Sequence, residues 1–186
     1  MSNTSSISRE IDNLSNVLNE AFYEKYGVEF LGRCEPMLRR NTADETGELI
    51  PIQESTAIDG EDYITLLPRD DSDSFGFVHV DSDIPIEDWP DENGWYYNPS
   101  CSLIVWGKMN NLPDIGNKSY RFRVFMEEVI EEIRNYPNFE VTNIASNDVS
   151  VYNPYSIDRQ TMRYFFYPYF AFRIEGNLKV YPEEQC

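Results

Sequence analysis

The chain has 186 residues, of which 41% are hydrophobic and 15% aromatic, and its formal net charge is −18. This length is sufficient for one domain with a substantial hydrophobic core, and the aromatic content excludes a fully disordered chain. The charge excludes a protein that attracts nucleic acid or anionic lipid through its overall electrostatics.

The negative charge is concentrated in residues 41–98, which hold 16 acidic residues and one basic residue, Arg69. The rest of the chain holds 17 acidic and 14 basic residues and is nearly balanced. We interpret residues 41–98 as an acidic, loop-rich insertion that contains a hairpin. Its surface is either simply solvated, or keeps DNA from adhering, or pairs with a basic partner.

The three cysteines, Cys34, Cys101 and Cys186, form no CxxC pair and indicate reduced thiols. The N-terminus has no apolar stretch, so we expect no signal peptide. No run reaches the roughly 18 apolar residues of a membrane span, so no membrane partner is expected.

Apolar residues near the N-terminus recur at helical spacing: Ile7, Ile11, Leu14, Leu18 and Phe22. This spacing predicts an amphipathic helix over residues 8–25 that ends at Gly27. A short strand is predicted over 28–31. Arg39 and Arg40 follow it, and either pair with the acidic segment or bind a phosphate.

Residues 41–60 are predicted to be a loop, because Gly47, Pro51 and Gly60 interrupt them. Two strands are predicted over 62–67 and 75–80, joined as a hairpin by a polar connection. Residues 81–100 are irregular but rich in large aromatic side chains, which indicates packing against the body or docking on a neighbour.

A short strand is predicted over residues 102–106, at a central position in the sheet. A second helix is predicted over 120–135, since its apolar residues lie at helical spacing: Phe122, Phe125, Met126, Val129, Ile130 and Ile133. Pro137 ends it. Residues 139–152 predict a strand with a break near Ser146.

Seven of the nine residues from Tyr164 to Phe172 are aromatic. Alternation over 162–180 predicts one long strand. Its apolar face would carry Met162, Tyr164, Phe166, Phe170, Phe172 and Ile174, and its Tyr/Arg face would carry Arg163, Phe165, Tyr167, Tyr169, Ala171 and Arg173. Pro168 places this strand at a sheet edge or at a bulge.

Together these elements predict a single α+β domain over residues 1–186. A mainly antiparallel sheet would be packed by two amphipathic helices, with the apolar face of the aromatic strand lying under one or both of them.

We find no motif for catalysis or for a cofactor. His79 is the one histidine, so a Ser-His-Asp or Cys-His site would depend on it. Asp71 and Asp73 begin a pattern similar to a calcium loop, but Phe75 and Ser82 stand where that loop needs ligands. No phosphate-binding glycine motif is present. We therefore expect neither an enzyme nor a cofactor or metal site.

The layout resembles the neck proteins of tailed bacteriophages: tail terminator, tail completion and head–tail connector subunits. The resemblance is carried by the N-terminal amphipathic helix, by the helix FRVFMEEVIEEIRNY and by the final YFFYPYFAFRIEGNLKV. It implies a structural virion protein that forms a ring of six or twelve copies, and the composition also suits the ring proteins of crAss-like phages. Such a ring would contact portal, connector or tail proteins, and DNA would pass through it without specific binding.

Exposed aromatic residues would supply the contacts of a ring. The candidate subunit-interface residues are Trp89, Trp95, Tyr96, Tyr97, Phe165, Tyr167 and Tyr169. The alternative hypothesis is an acidic protein that mimics DNA and inhibits a nucleic-acid-binding protein. A third is a small hydrolase or sugar-binding module that uses aromatic platforms, although a recognisable catalytic carboxylate pair is missing.

Overall fold

The computed structural model describes residues 6–40, 47–54, 63–88, 95–113, 118–146, 148–157 and 161–181. Within these ranges the α-helices are α1 (Ser6–Tyr26) and α2 (Lys118–Asn135). The strands are β1 (Val28–Arg33), β2 (Glu35–Arg40), β3 (Gly47–Glu54), β4 (Tyr63–Thr65), β5 (Ser74–Val80), β6 (Ile86–Asp88), β7 (Trp95–Tyr97), β8 (Ser100–Lys108), β9 (Phe139–Ser146) and β10 (Tyr169–Leu178). Short 3₁₀ segments span Met109–Asn111, Val149–Tyr152 and Thr161–Phe165.

The main sheet has five strands in the order β1-β5-β8-β10-β9. Strand β1 pairs with β5 in parallel, and the other neighbours pair in antiparallel fashion. Both predicted helices are present, and the strand predicted over 102–106 is the central one. This confirms the predicted α+β fold with a mainly antiparallel sheet.

Both helices pack on one face of this sheet. The stripe of α1 is buried, with Ile11, Leu14 and Leu18 at 0% exposure. In α2, the ring of Phe125 lies 5.6 Å from that of Phe170 and 5.8 Å from that of Phe172, measured between centroids. The apolar face of the last strand therefore lies under the helices, as the sequence predicts.

The opposite face of the sheet is also buried, under a layer of aromatic residues from 149–165. Trp106 is 0% exposed, and its indole Nε1 donates a 2.8 Å hydrogen bond to the carbonyl of Tyr164. This second core contains Phe75, Phe77, Ile104, Trp106, Val151, Tyr152, Tyr155, Tyr164, Phe165 and Ala171. The central strands are thus apolar on both faces.

The prediction of a loop over residues 41–60 is wrong for residues 47–54, because these residues form β3. This strand pairs with β2 and β4 in a second, three-stranded sheet. Pro51 fits because β4 pairs only with residues 52–54, so the missing N–H interrupts no ladder on that side. Arg39 pairs with Glu48 at 3.0 Å, which confirms the expected contact between an arginine and the acidic segment.

The hairpin expected between the strands at 62–67 and 75–80 does not form. Strand β4 pairs with β3, whereas β5 pairs with β1 and β8 in the other sheet. The polar connection between them therefore links two sheets.

The aromatic strand starts at Tyr169 rather than at Met162, because residues 161–165 form a 3₁₀ segment. Pro168 precedes the strand, and β10 lies between β8 and β9, so its predicted place at a sheet edge is wrong. The predicted faces also change. Tyr164 is buried in the second core, and Phe166 is 61% exposed. Arg173, predicted on the Tyr/Arg face of the strand, is 8% exposed and contacts Glu175 and the Asn153 carbonyl.

The outer edge of β1 is capped by a side chain of α1. The Asn19 side-chain amide accepts from the Phe30 N–H at 2.7 Å and donates to the Phe30 carbonyl at 2.8 Å. The Leu31 carbonyl accepts from Gln53 at 2.8 Å. These bonds occupy backbone groups to which a foreign strand would otherwise bind.

We expect Phe125→Ala to lower the free energy of unfolding by about 3–5 kcal/mol, because it removes a fully buried ring from between α2 and β10. The matched control, Tyr23→Ala on the exposed side of α1, should cost less than about 1 kcal/mol. Urea unfolding followed by circular dichroism measures both. Equal losses for the two variants would contradict the packing described here.

Candidate functional site

An exposed aromatic hairpin projects from one end of the main sheet. Strands β6 and β7 pair in antiparallel fashion, with Ile86 opposite Tyr97 and Asp88 opposite Trp95. The backbone of Tyr97 exchanges two 2.9 Å hydrogen bonds with Val180, just after β10 ends. Val180 is 2% exposed, so the hairpin is anchored to the core at its base.

The outer part of this hairpin exposes large apolar side chains. Ile86 is 64% exposed and Trp95 is 41% exposed, and the Trp95 ring stands edge-on to that of Tyr97 at 5.0 Å. We call the large side chains on the two faces of the hairpin and beside it the hairpin surface: Ile84, Ile86, Trp95, Tyr96 and Tyr181. Such a group of half-exposed apolar residues is typical of a surface that meets a partner.

The Tyr96 side chain lies on the face of the hairpin opposite to Trp95 and is fixed there by a hydrogen bond. Its hydroxyl donates a 2.5 Å hydrogen bond to the Glu87 carboxylate, which also accepts from Asn98 at 2.7 Å. These bonds, with that of Tyr96 the larger cause, lower the pKa of Glu87 below its usual value. Glu87 is therefore an ordered negative charge beside the aromatic rings.

A second exposed aromatic pair lies at the opposite end of the sheet, in the turn before β10. Phe166 is 61% exposed and Tyr167 is 65% exposed. The Met109 N–H donates to the Pro168 carbonyl at 2.9 Å and holds this turn against the end of β8. We call this the turn surface: Phe166, Tyr167, the cations Lys108 and Arg163, and the exposed Arg123 near the start of α2, the helix end where Phe122 packs on Phe170.

Asp70 organises the polar part of the turn surface. Its carboxylate accepts a 2.5 Å hydrogen bond from the Tyr169 hydroxyl and a 3.0 Å bond from Arg163, and its backbone carbonyl accepts from Lys108 at 2.8 Å. The Tyr169 hydrogen bond is the main cause of the lowered pKa of Asp70. Asp70 thereby holds the charges of Lys108 and Arg163 beside Tyr169.

The structure separates the predicted interface residues into two groups. Trp95, Tyr96 and Tyr97 lie together in the hairpin, although Tyr97 packs partly on the core. Tyr167 and Tyr169 lie at the other end of β10, about 30 Å away at the usual rise per strand residue.

The assignment of Phe165 to the interface is wrong. This side chain is 1% exposed and packs against Tyr152 in the second core, because the 3₁₀ segment turns it inward. Trp89 lies outside the described residues.

Sequence reasoning missed Ile84, Ile86, Phe166 and Tyr181 as exposed apolar residues. The run Asp83-Ile-Pro-Ile-Glu87 gave a usable signal, since two isoleucines flank a proline between acidic residues. The exposure of Phe166 had no such signal, because the strand pattern assigned it to the apolar face.

A buried polar cluster lies between the main sheet and residues 149–157. The Tyr155 hydroxyl lies 2.7 Å from Nδ1 of His79 and 3.0 Å from Sγ of Cys34, and Nε2 of His79 lies 3.4 Å from Asp81. Burial raises the pKa of the Cys34 thiol to about 12, so the thiol stays protonated at neutral pH. Since Cys34 is 1% exposed and protonated, it is unsuited to nucleophilic chemistry.

Acidic residues do not converge on a metal site in the described parts of the chain. No three His, Cys, Asp or Glu side chains gather there in a way that could hold an ion. In the segment similar to a calcium loop, Asp71 lies 3.5 Å from Arg69. No described helix is long and apolar enough to cross a membrane.

We expect His79 to make the stability of the protein depend on pH. Burial, opposed in part by Asp81, lowers the pKa of His79 in the folded state. As the pH falls below about 6.5, the unfolded chain binds this proton first, so the folded state loses stability. Chemical unfolding between about pH 7.5 and 5.5 should show a smaller loss for His79→Gln than for the wild type. Identical pH profiles would contradict this.

Comparison with known protein families finds no family model that matches this chain. Comparison with curated proteins likewise finds no match.

Proposed function

We propose that this chain is a structural subunit of a tailed-phage virion that forms a ring of six or twelve copies at the head–tail junction or the tail end. The observation that carries the proposal is the placement of the hairpin surface and the turn surface at opposite ends of one rigid sheet. Neighbouring portal, connector or tail proteins would contact the ring, and DNA would pass through it.

Ring assembly needs contacts that join two different surfaces of each subunit. A subunit with one self-associating surface forms closed dimers. A subunit with two separate surfaces can bind one neighbour through each of them and so extend into a ring. The hairpin surface and the turn surface meet this requirement, since β10 and its flanking residues connect them. Their aromatic residues, Trp95 and Tyr167 among them, are of the type that dominates binding energy at protein interfaces.

The acidity of the chain supports the second part of the proposal. Asp12, Glu20 and Glu24 lie exposed on α1, outside the hairpin surface and the turn surface, and the net charge of the whole chain is −18. Carboxylates facing a channel repel the DNA phosphates and thereby prevent adhesion while DNA passes. This would explain a strongly acidic protein that works next to DNA.

A DNA-mimicking inhibitor is the second candidate. Residues 81–87 are exposed without interruption and include three carboxylates, which is the kind of surface that a basic protein site would bind. This function predicts a monomer or dimer whose partner binding weakens steeply with salt. The mass of the purified protein therefore separates the two candidates.

We expect the wild-type chain to form rings, and Trp95→Ala or Tyr167→Ala to prevent their formation without unfolding the subunit. Each substitution truncates a large exposed ring on one of the two surfaces. Light scattering gives the mass, and negative-stain images of the same fraction give the shape. Leu38→Ala, at a residue that is 74% exposed on the small sheet, is the matched control and should assemble as the wild type does.

A wild-type protein that stays monomeric or dimeric over a wide range of concentration would contradict the ring proposal. Binding of a basic partner by that small species, lost at high salt, would favour the inhibitor.

A further inference from the structure

The two exposed aromatic surfaces differ in charge. Residues 81–98, which contain the hairpin, hold six acidic residues and no lysine or arginine. Asp83 and Glu87 lie exposed beside Ile84 and Ile86. Two cations from other elements, Arg134 and Lys179, lie near this end, and Lys179 is 3.9 Å from Glu140. Of the described side chains in residues 81–98, those that carry a charge, Asp81, Asp83 and Glu87, are all negative.

The turn surface has the opposite character. The first six residues of α2 include Lys118, Arg121 and Arg123 and no acidic residue. This helix end lies beside the start of β10, where the rings of Phe122 and Phe170 are 5.6 Å apart. The N-terminal end of a helix adds partial positive charge to that of the side chains.

The acidic residues near the turn surface do not make its net charge negative. Asp70 and Asp71 are each paired with an arginine, Arg163 and Arg69 respectively. Asp73 is the third acidic residue of this segment. Against these three acidic residues stand Arg69, Lys108, Arg163 and, on α2, the exposed Arg123.

We propose that the hairpin surface of one copy docks on the turn surface of a second copy. Each subunit then binds one neighbour through its hairpin surface and the other neighbour through its turn surface. Trp95 and Ile86 would meet Phe166 and Tyr167 in the centre of the contact. Asp83 and Glu87 would face Lys108 and Arg123 around it. This contact rests on the proposed function, for which it names the partner of each surface.

Charge decides which surfaces can meet. Contact between two hairpins would bring two sets of carboxylates together, and like charges facing each other across an interface are strongly unfavourable. Contact between a hairpin and a turn surface pairs opposite charges and buries exposed aromatic rings on both sides. The favoured contact is therefore head-to-tail, which is the type that a ring requires.

Charge reversal on each surface provides the test. One double variant carries Asp83→Lys and Glu87→Lys, and the other carries Lys108→Glu and Arg123→Glu. Each variant alone has like charges on both surfaces, so each should lose assembly. An equimolar mixture should recover it, because every hairpin then finds a turn surface of opposite charge on the other variant.

The matched control is Glu127→Lys with Glu131→Lys, which changes the net charge as much as the hairpin variant does but at exposed positions on α2. It should assemble like the wild type. Circular dichroism and urea unfolding of each variant show that loss of assembly is not loss of folding. Light scattering of the single variants and the mixture gives the result.

Three results would overturn the inference. If both reversed variants assemble alone, or if neither does and the mixture stays unassembled, the two surfaces do not meet each other, although the ring proposal stands. If the wild type itself never assembles, the ring proposal and the inference fail together.

Discussion

The structure depends on burying both faces of the central strands β8 and β10. Leu103, Val105 and Phe172 face the helices, while Ile104, Trp106 and Ala171 face the aromatic layer, and all six are 0% exposed. A sheet with two apolar faces is stable in water only when both are covered. The two helices cover one face, and the described residues 149–157 and 161–165, with the small sheet, cover the other. Of the exposed aromatic residues, Trp95 and Tyr181 lie at one end of the sheet, and Phe166 and Tyr167 lie at the other.

The helices and the central strand could be predicted from the sequence, because their apolar residues repeat with a clear period. Strand β3 could not, since Gly47 and Pro51 usually interrupt a strand. Gly47 is the first residue of β3, and Pro51 is acceptable because β4 pairs only with residues 52–54. Local sequence patterns do not show which strands distant in the chain pair with each other, as β1 does with β5.

The candidate site could be predicted in part. Aromatic residues in an acidic, proline-containing segment pointed to Trp95 and Tyr96, which are on the surface. Phe165 was misassigned because the face that it shares with Ala171 was expected to be exposed, whereas both side chains are buried in the second core. The turn at Pro168 exposes Phe166 and Tyr167. The opposite charges of the two surfaces depend on α2 lying next to the start of β10, and that contact is set by tertiary packing alone.

We propose that copies of this chain associate head to tail. An electron cryo-microscopy reconstruction of the wild-type protein is the experiment that shows this contact directly. We predict a closed ring in which Trp95 and Ile86 of each subunit contact Phe166 and Tyr167 of the next. A particle in which both surfaces face solvent, or a protein that remains a monomer, would contradict the account.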